Sequence, residues 1–174
     1  VMRAGLSALI TRWRRAWSRE DLPFILIQLP RMNRPWMLYR EQQMLVSQAL
    51  PNVGLVVTTD TGSPTNVHPS DKTPVALRAA GEAMRIAYRA PDAPVFAFGI
   101  RACGANPVTV CFTSGQKIVV RGTSLNGFEL SPDGVTFVPA QATLKPDNTV
   151  ALNANGVSSP AEVRYNWCSV PLGN

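Results

Sequence analysis

Apolar residues in the first ninety positions alternate between two spacings. Leu6, Leu9, Ile10, Trp13 and Trp17 recur at steps of three and four, which predicts an amphipathic helix over about 2–18. "PFILIQL", 23–29, is a continuous apolar run opened by a proline, the pattern of a strand covered on both faces. "WMLYREQQMLVSQAL", 36–50, returns to helical spacing through Leu38, Leu45 and Leu50, and "VGLVVTT", 53–59, predicts a second buried strand. "SDKTPVALRAAGEAMRIAYR" predicts a third helix, with Ser70 as N-cap and Pro74 accommodated in the first turn. Helix, strand, helix, strand and helix joined by short connections imply parallel strands with crossover helices. Two strands do not make a stable doubly wound sheet. The remaining strands are therefore expected ahead of Val1, and the chain, which opens in mid-helix, is expected to be a piece of a longer protein.

From "RAPDAPVFAFGI" onward the period becomes two, with frequent turns. "PVTVCF", "KIVVRG", "GFELSPDGVTFVPA", "ATLKPDNTVAL" and "AEVRYNWC" predict six or more short strands, and "SPDG" and "KPDN" are hairpin signals. The expected organisation is an α/β part over 1–92 followed by a small antiparallel β-sandwich over 93–174.

Composition narrows the function. With 45% hydrophobic and 16% charged residues the chain has material for a core. Its net charge of +6 is concentrated in the first fifty residues, which hold eight arginines and three acids. Arg12, Arg14, Arg15 and Arg19 surround Trp13 and Trp17 at helical spacing. That reads as a solvated basic face flanking a buried aromatic one, not as a nucleic-acid surface. No apolar run approaches the length of a membrane span. Cys103, Cys111 and Cys168 lack CxxC spacing and a neighbouring histidine, so no zinc site is expected. One disulfide with a third thiol outside it, or three buried thiols, are both compatible with the spacing.

The chemistry points to "DTGSPTNVHP", 60–69, which holds the only histidine, His68, on a loop after a strand. An Asp-Gly turn, a His-Pro loop and a following helix are how SGNH-type serine esterases present their general base. The chain resembles that class, and within it the sialate O-acetylesterase family. The matching residues are Trp13-Arg14, Pro23-Phe24 with Gln28-Leu29, Arg40 and Gln43, Pro51-Asn52, Asp60, Gly62, "NVHP" and Lys72, with fainter echoes in "GFEL" and "VRYNW". The resemblance implies the C-terminal part of a flavodoxin-like three-layer α/β/α domain, followed by the β-sandwich. It implies an acetylesterase acting on an acetylated glycan, sialic acid or a plant polysaccharide such as xylan or xyloglucan. No cofactor or metal is implied, and the location is secreted or periplasmic.

By that resemblance His68 is the catalytic base, and the serine and the Gly and Asn oxyanion donors lie in an N-terminal part of the same protein. The 174 residues alone are then expected to be inactive. Ser63 and Ser70 read as a loop neighbour and a helix cap. The family has Asp two residues before the histidine, and here that position is Asn66. Asn66 is accordingly a candidate orienter of the imidazole. Asp60 is an alternative acid, although an Asp opening the turn before Gly62 is the plainer reading. Asp71 suits a helix N-terminus. Gln28 is a candidate substrate contact, since a polar residue buried in an apolar strand needs a partner. Trp36 and Tyr39 suit helix packing or sugar stacking, and Arg40 a surface or ion-pair role or, failing that, a supporting role for the active site. Competing readings are a non-catalytic carbohydrate-binding piece and a purely structural accessory.

Overall fold

The computed structural model describes residues 2–96, 99–105, 107–112, 117–171 and 173. Residues 97 and 98, where the periodicity changes, lie outside the described set. The chain is a mixed α/β protein with three helices and three sheets among the described residues, divided into two compact units, 1–98 and 99–174. Among the described residues no helix is long and apolar enough to cross a membrane.

In the first unit α1 (Met2–Ala16), β1 (Phe24–Ile27), α2 (Met37–Ala49), β2 (Val53–Val56) and α3 (Thr73–Ile86) follow in order. β1 and β2 pair in parallel, Phe24 opposite Val53 through Ile27 opposite Val56. Ile10, Val46 and Val53 form the buried apolar centre, with Leu6, Phe24, Leu26 and Leu50 packed on it. β2 is buried along its whole length. Gly54 permits α3 to approach: a Cβ there would fall 2.5 Å from the Glu82 carboxylate and 3.2 Å from Ile86.

Several elements depart from the periodic reading. The buried stripe of α1 is Ile10 and Arg14, with Leu6 half-buried, while Trp13 and Trp17 are 51% and 65% exposed. The two stripes lie side by side on the helix, and Arg14 wins the inner one because its guanidinium closes two loops. Arg14 Nε donates to Leu22 O at 3.0 Å and Nη2 to Pro51 O at 2.7 Å. α2 likewise buries Arg40, Gln43 and Val46 and leaves Leu38 exposed. β1 is not covered on both faces: Ile27 is exposed and Phe24, Ile25 and Leu26 are only half-buried, and among the described residues the strand's ladder partner is β2 alone. Ser70 does not cap α3. The helix begins at Thr73, and Asp71 Oδ1 accepts the Thr73 N–H at 2.8 Å, which holds the Asp71 carboxyl below its usual range.

The described residues of the second unit form seven strands: β3 (Ile100–Ala105), β4 (Val108–Phe112), β5 (Phe128–Ser131), β6 (Val138–Pro139), β7 (Gln141–Leu144), β8 (Val150–Asn153) and β9 (Glu162–Tyr165). They form two antiparallel sheets, β3-β4-β8-β7 and β6-β5-β9. Val110, Val150 and Leu152 of one sheet share a buried cluster with Phe128 and Leu130 of the other. Phe128 and Phe112 both pack against the Tyr165 ring. The "KPDN" turn joins β7 to β8, with Asn148 at φ 66° and Asp147 Oδ1 accepting the Thr149 N–H. "KIVVRG" is not a strand: Val119 is exposed, and Ile118 N–H is satisfied by the Asn148 side chain. β3 escaped the periodic reading because Cys103 sits where the register with β4 shifts. Cys103 pairs with Cys111, and the exposed Cys168 stays outside the bridge.

The "SPDG" turn carries a pH prediction. Asp133 Oδ1 accepts from the Val135 and Thr136 N–H groups and from Ser131 Oγ, which pulls its carboxyl from 3.8 down to about 2. A lowered folded-state value gives stability present above the unfolded value and lost as pH falls toward the folded one. The melting-temperature gap between the native protein and Asp133→Asn is therefore expected to be full at pH 6 and to narrow between about pH 4 and 2. A gap independent of pH would refute the carboxylate's role.

Candidate active-site loop

Parallel strands deliver their following loops to one end of the sheet, the end where open α/β folds place ligands. Here the loop after β1 and the loop after β2 meet at that end. Thr58 Oγ1 donates to Gln28 O at 2.6 Å, tying the two strand ends together under the loops. Arg31 N–H donates to Thr61 O at 3.3 Å, Arg31 Nε to Gly62 O at 3.0 Å and Asn33 N–H to Pro64 O at 2.8 Å.

α2 fixes the loop after β1 from behind. Arg40 is 5% exposed and donates through Nε to Leu29 O at 2.9 Å and through Nη2 to Pro30 O at 2.6 Å. Arg40 is therefore a buried loop anchor, not the surface residue expected from its sequence position. Gln43 Nε2 donates to Ile27 O, and Gln43 Oε1 accepts the Leu29 N–H, as a neighbouring parallel strand would.

α3 fixes the start of the second loop. Arg78 grips Asp60 with both terminal nitrogens, at 2.7 and 2.6 Å, and Nη1 also donates to Val57 O. Donating to the Asp60 carboxylate raises the Arg78 pKa above its ordinary value. Both Asp60 oxygens are engaged by this fork, the geometry of a turn anchor.

His68 is exposed at the far end of the loop, and its backbone N–H donates to Asn66 Oδ1 at 2.9 Å. Asn66 thus acts on His68 through the main chain, in an Asx-type turn. Ser63 Oγ accepts the Asn66 N–H at 2.9 Å, so this serine closes the loop. Gln28 is 7% exposed; its Nε2 donates to Arg40 O, while its Oε1 is buried with no partner among the described residues. Trp36 is half-buried and Tyr39 exposed beside it.

The sequence reading singled out His68, Asn66, Asp60 and Gln28, which all lie on or beneath these two loops. It missed Arg31, Arg78 and Thr58, and it misread Arg40. The available signal was the parallel order itself: once two strands are parallel, polar residues just after the first belong beside the loop after the second.

No family model matches the chain, and no curated protein matches it. Among solved structures it is similar to a carbohydrate acetylesterase from Xanthomonas citri, at a TM-score of 0.83 and 29% sequence identity. The match covers 98% of this chain and 41% of that enzyme's chain. The chain thus has a carbohydrate acetylesterase as a structural neighbour over nearly its whole length, and spans less than half the length of that neighbour.

Proposed function

We propose that the chain is the later part of a carbohydrate O-acetylesterase in which His68 is the general base for a serine outside these 174 residues. The observation that carries this reading is the likeness to a carbohydrate acetylesterase, which runs through both units at 29% identity. The exposed His68 on a pinned loop at the ligand-binding end of the strands is consistent with it. The first unit is then the C-terminal half of an SGNH-type three-layer domain and the second a β-sandwich, within the sialate O-acetylesterase group. That the matched chain is more than twice as long supports a preceding segment carrying the serine and the oxyanion donors.

The reaction is a two-step acyl transfer. His68 takes the proton of the serine hydroxyl as its oxygen attacks the acetyl carbonyl, and donors from the preceding segment stabilise the oxyanion. The tetrahedral intermediate collapses as the imidazolium returns the proton to the departing sugar oxygen. Water, deprotonated by the same imidazole, then attacks the acetyl-serine and frees acetate. Asn66 holds the His68 backbone, so the imidazole leaves from a fixed position. Asp60 serves α3 in this scheme.

Sialic acid and acetylated xylan or xyloglucan are the substrate candidates. The Cys103–Cys111 bridge supports a secreted or periplasmic location, since disulfides persist in oxidising compartments. The test is acetate release from acetylated glycans by the complete enzyme, meaning residues 1–174 with their preceding segment. Release from at least one acetylated sugar, and none from residues 1–174 alone, is expected. No release from any acetylated glycan would overturn the reading.

A further inference from the structure

We infer that Arg31 is a positioning residue for the proposed base: its guanidinium pins the loop that carries His68, through Gly62 O. This rests on the reading of His68 given above. The loop after β2 belongs to no ladder, so its position must come from contacts outside the sheet. Its first half is held by α3 through Asp60 and Arg78. Residues 61–64, which lead on to His68, are held by the loop after β1, through Arg31 Nε on Gly62 O at 3.0 Å and the Arg31 and Asn33 backbone N–H groups on Thr61 O and Pro64 O.

From Gly62 the connection to His68 is continuous. Ser63 N–H donates to Asn66 O at 3.2 Å, Asn66 N–H to Ser63 Oγ at 2.9 Å and His68 N–H to Asn66 Oδ1 at 2.9 Å. Behind Arg31, the Leu29 and Pro30 carbonyls are held by the buried Arg40, so the pin stands on a fixed base. Gly62 is shaped for this approach. It has φ +76°, and a Cβ there would sit 3.2 Å from Arg31 O and 3.3 Å from Pro30 Cβ. A side chain at 62 would both strain the backbone and push the two loops apart.

A base displaced by about 1 Å can cost on the order of 100-fold in rate. A single half-buried hydrogen bond to a neutral carbonyl contributes little to global stability. A positioning role therefore separates rate from stability. In the complete enzyme, assayed for acetate release from one acetylated xylo-oligosaccharide, Arg31→Ala is expected to lower kcat about 10–100-fold. KM should stay within about twofold, as for an interaction that acts on the chemical step, and Tm within about 3 °C. Arg31→Lys should recover part of the loss, because an ammonium can donate to the same carbonyl. Gly62→Ala should lower kcat comparably, and the double variant should lose less than the product of the two. His68→Ala runs alongside. If it is inactive while Arg31→Ala keeps its kcat, the positioning role is wrong. A raised KM at constant kcat would make Arg31 a substrate contact instead, and a joint fall of kcat and Tm without rescue by Lys would make it merely structural. An active His68→Ala would remove the base, and the inference with it.

Discussion

His68→Ala in the complete enzyme is expected to lower the turnover of an acetylated glycan by at least about 10²–10⁴-fold, the worth of general-base catalysis. The loss should approach the upper end, because nucleophile and base act as a unit and removing either disables both. KM should change little, since the imidazole's contribution is made in the transition state. Stability should also change little. His68 is exposed, and its backbone N–H donates to Asn66 Oδ1, a bond that alanine retains. Retained turnover in His68→Ala, read as acetate released per enzyme, would mean that the loop histidine is incidental.

The largest stability effect is expected at Arg40. Arg40→Met preserves much of the apolar stem but removes the donors to Leu29 O and Pro30 O. A carbonyl left without a partner in a buried site costs about 1–3 kcal/mol. Two of them imply about 2–6 kcal/mol, a large share of the about 5–15 kcal/mol that holds a typical protein folded. For a cooperative unit of roughly 150–250 residues the melting temperature is expected to fall by roughly 5–20 °C, measured by calorimetry on the complete enzyme. A fall of under about 2 °C would show that water replaces the guanidinium at no cost, and that the anchor is not needed.

The parts of the fold legible in the sequence were those set by local period. The runs around Phe24–Ile27 and Val53–Val56 read as strands, the intervening segments as helices, and the helix–strand alternation gave the parallel pairing that is found. What local pattern could not supply was the choice between adjacent stripes. Leu9, Trp13 and Trp17 look like a core face, yet Leu6, Ile10 and Arg14 lie one position over, and a forked donor that satisfies two loop carbonyls takes the inner place. At Arg40 and Gln43 the positions were visible, but their hydrogen bonds to the β1 end depend on tertiary placement. "KIVVRG" has strand-like composition but lies outside both ladders. The Cys103–Cys111 pairing needed the β3–β4 register, which spacing does not encode.

For the candidate site, the loop was legible because a lone histidine after a buried strand and an Asp-Gly turn is a local feature. Its supports were not. Arg31 and Arg78 are ordinary arginines in the sequence and become loop anchors only when β1, β2 and α3 are assembled. Asn66 was visible as the residue in the family's Asp position. Its bond to the His68 backbone depends on how Ser63 and Asn66 close the turn.

The central claim, that His68 activates a serine outside residues 1–174, is tested most directly by labelling the complete enzyme with a fluorophosphonate and mapping the modified residue by mass spectrometry. The predicted result is a single labelled serine in the preceding segment, with labelling abolished in His68→Ala. Label on Ser63 or Ser70, or undiminished labelling in His68→Ala, would contradict it.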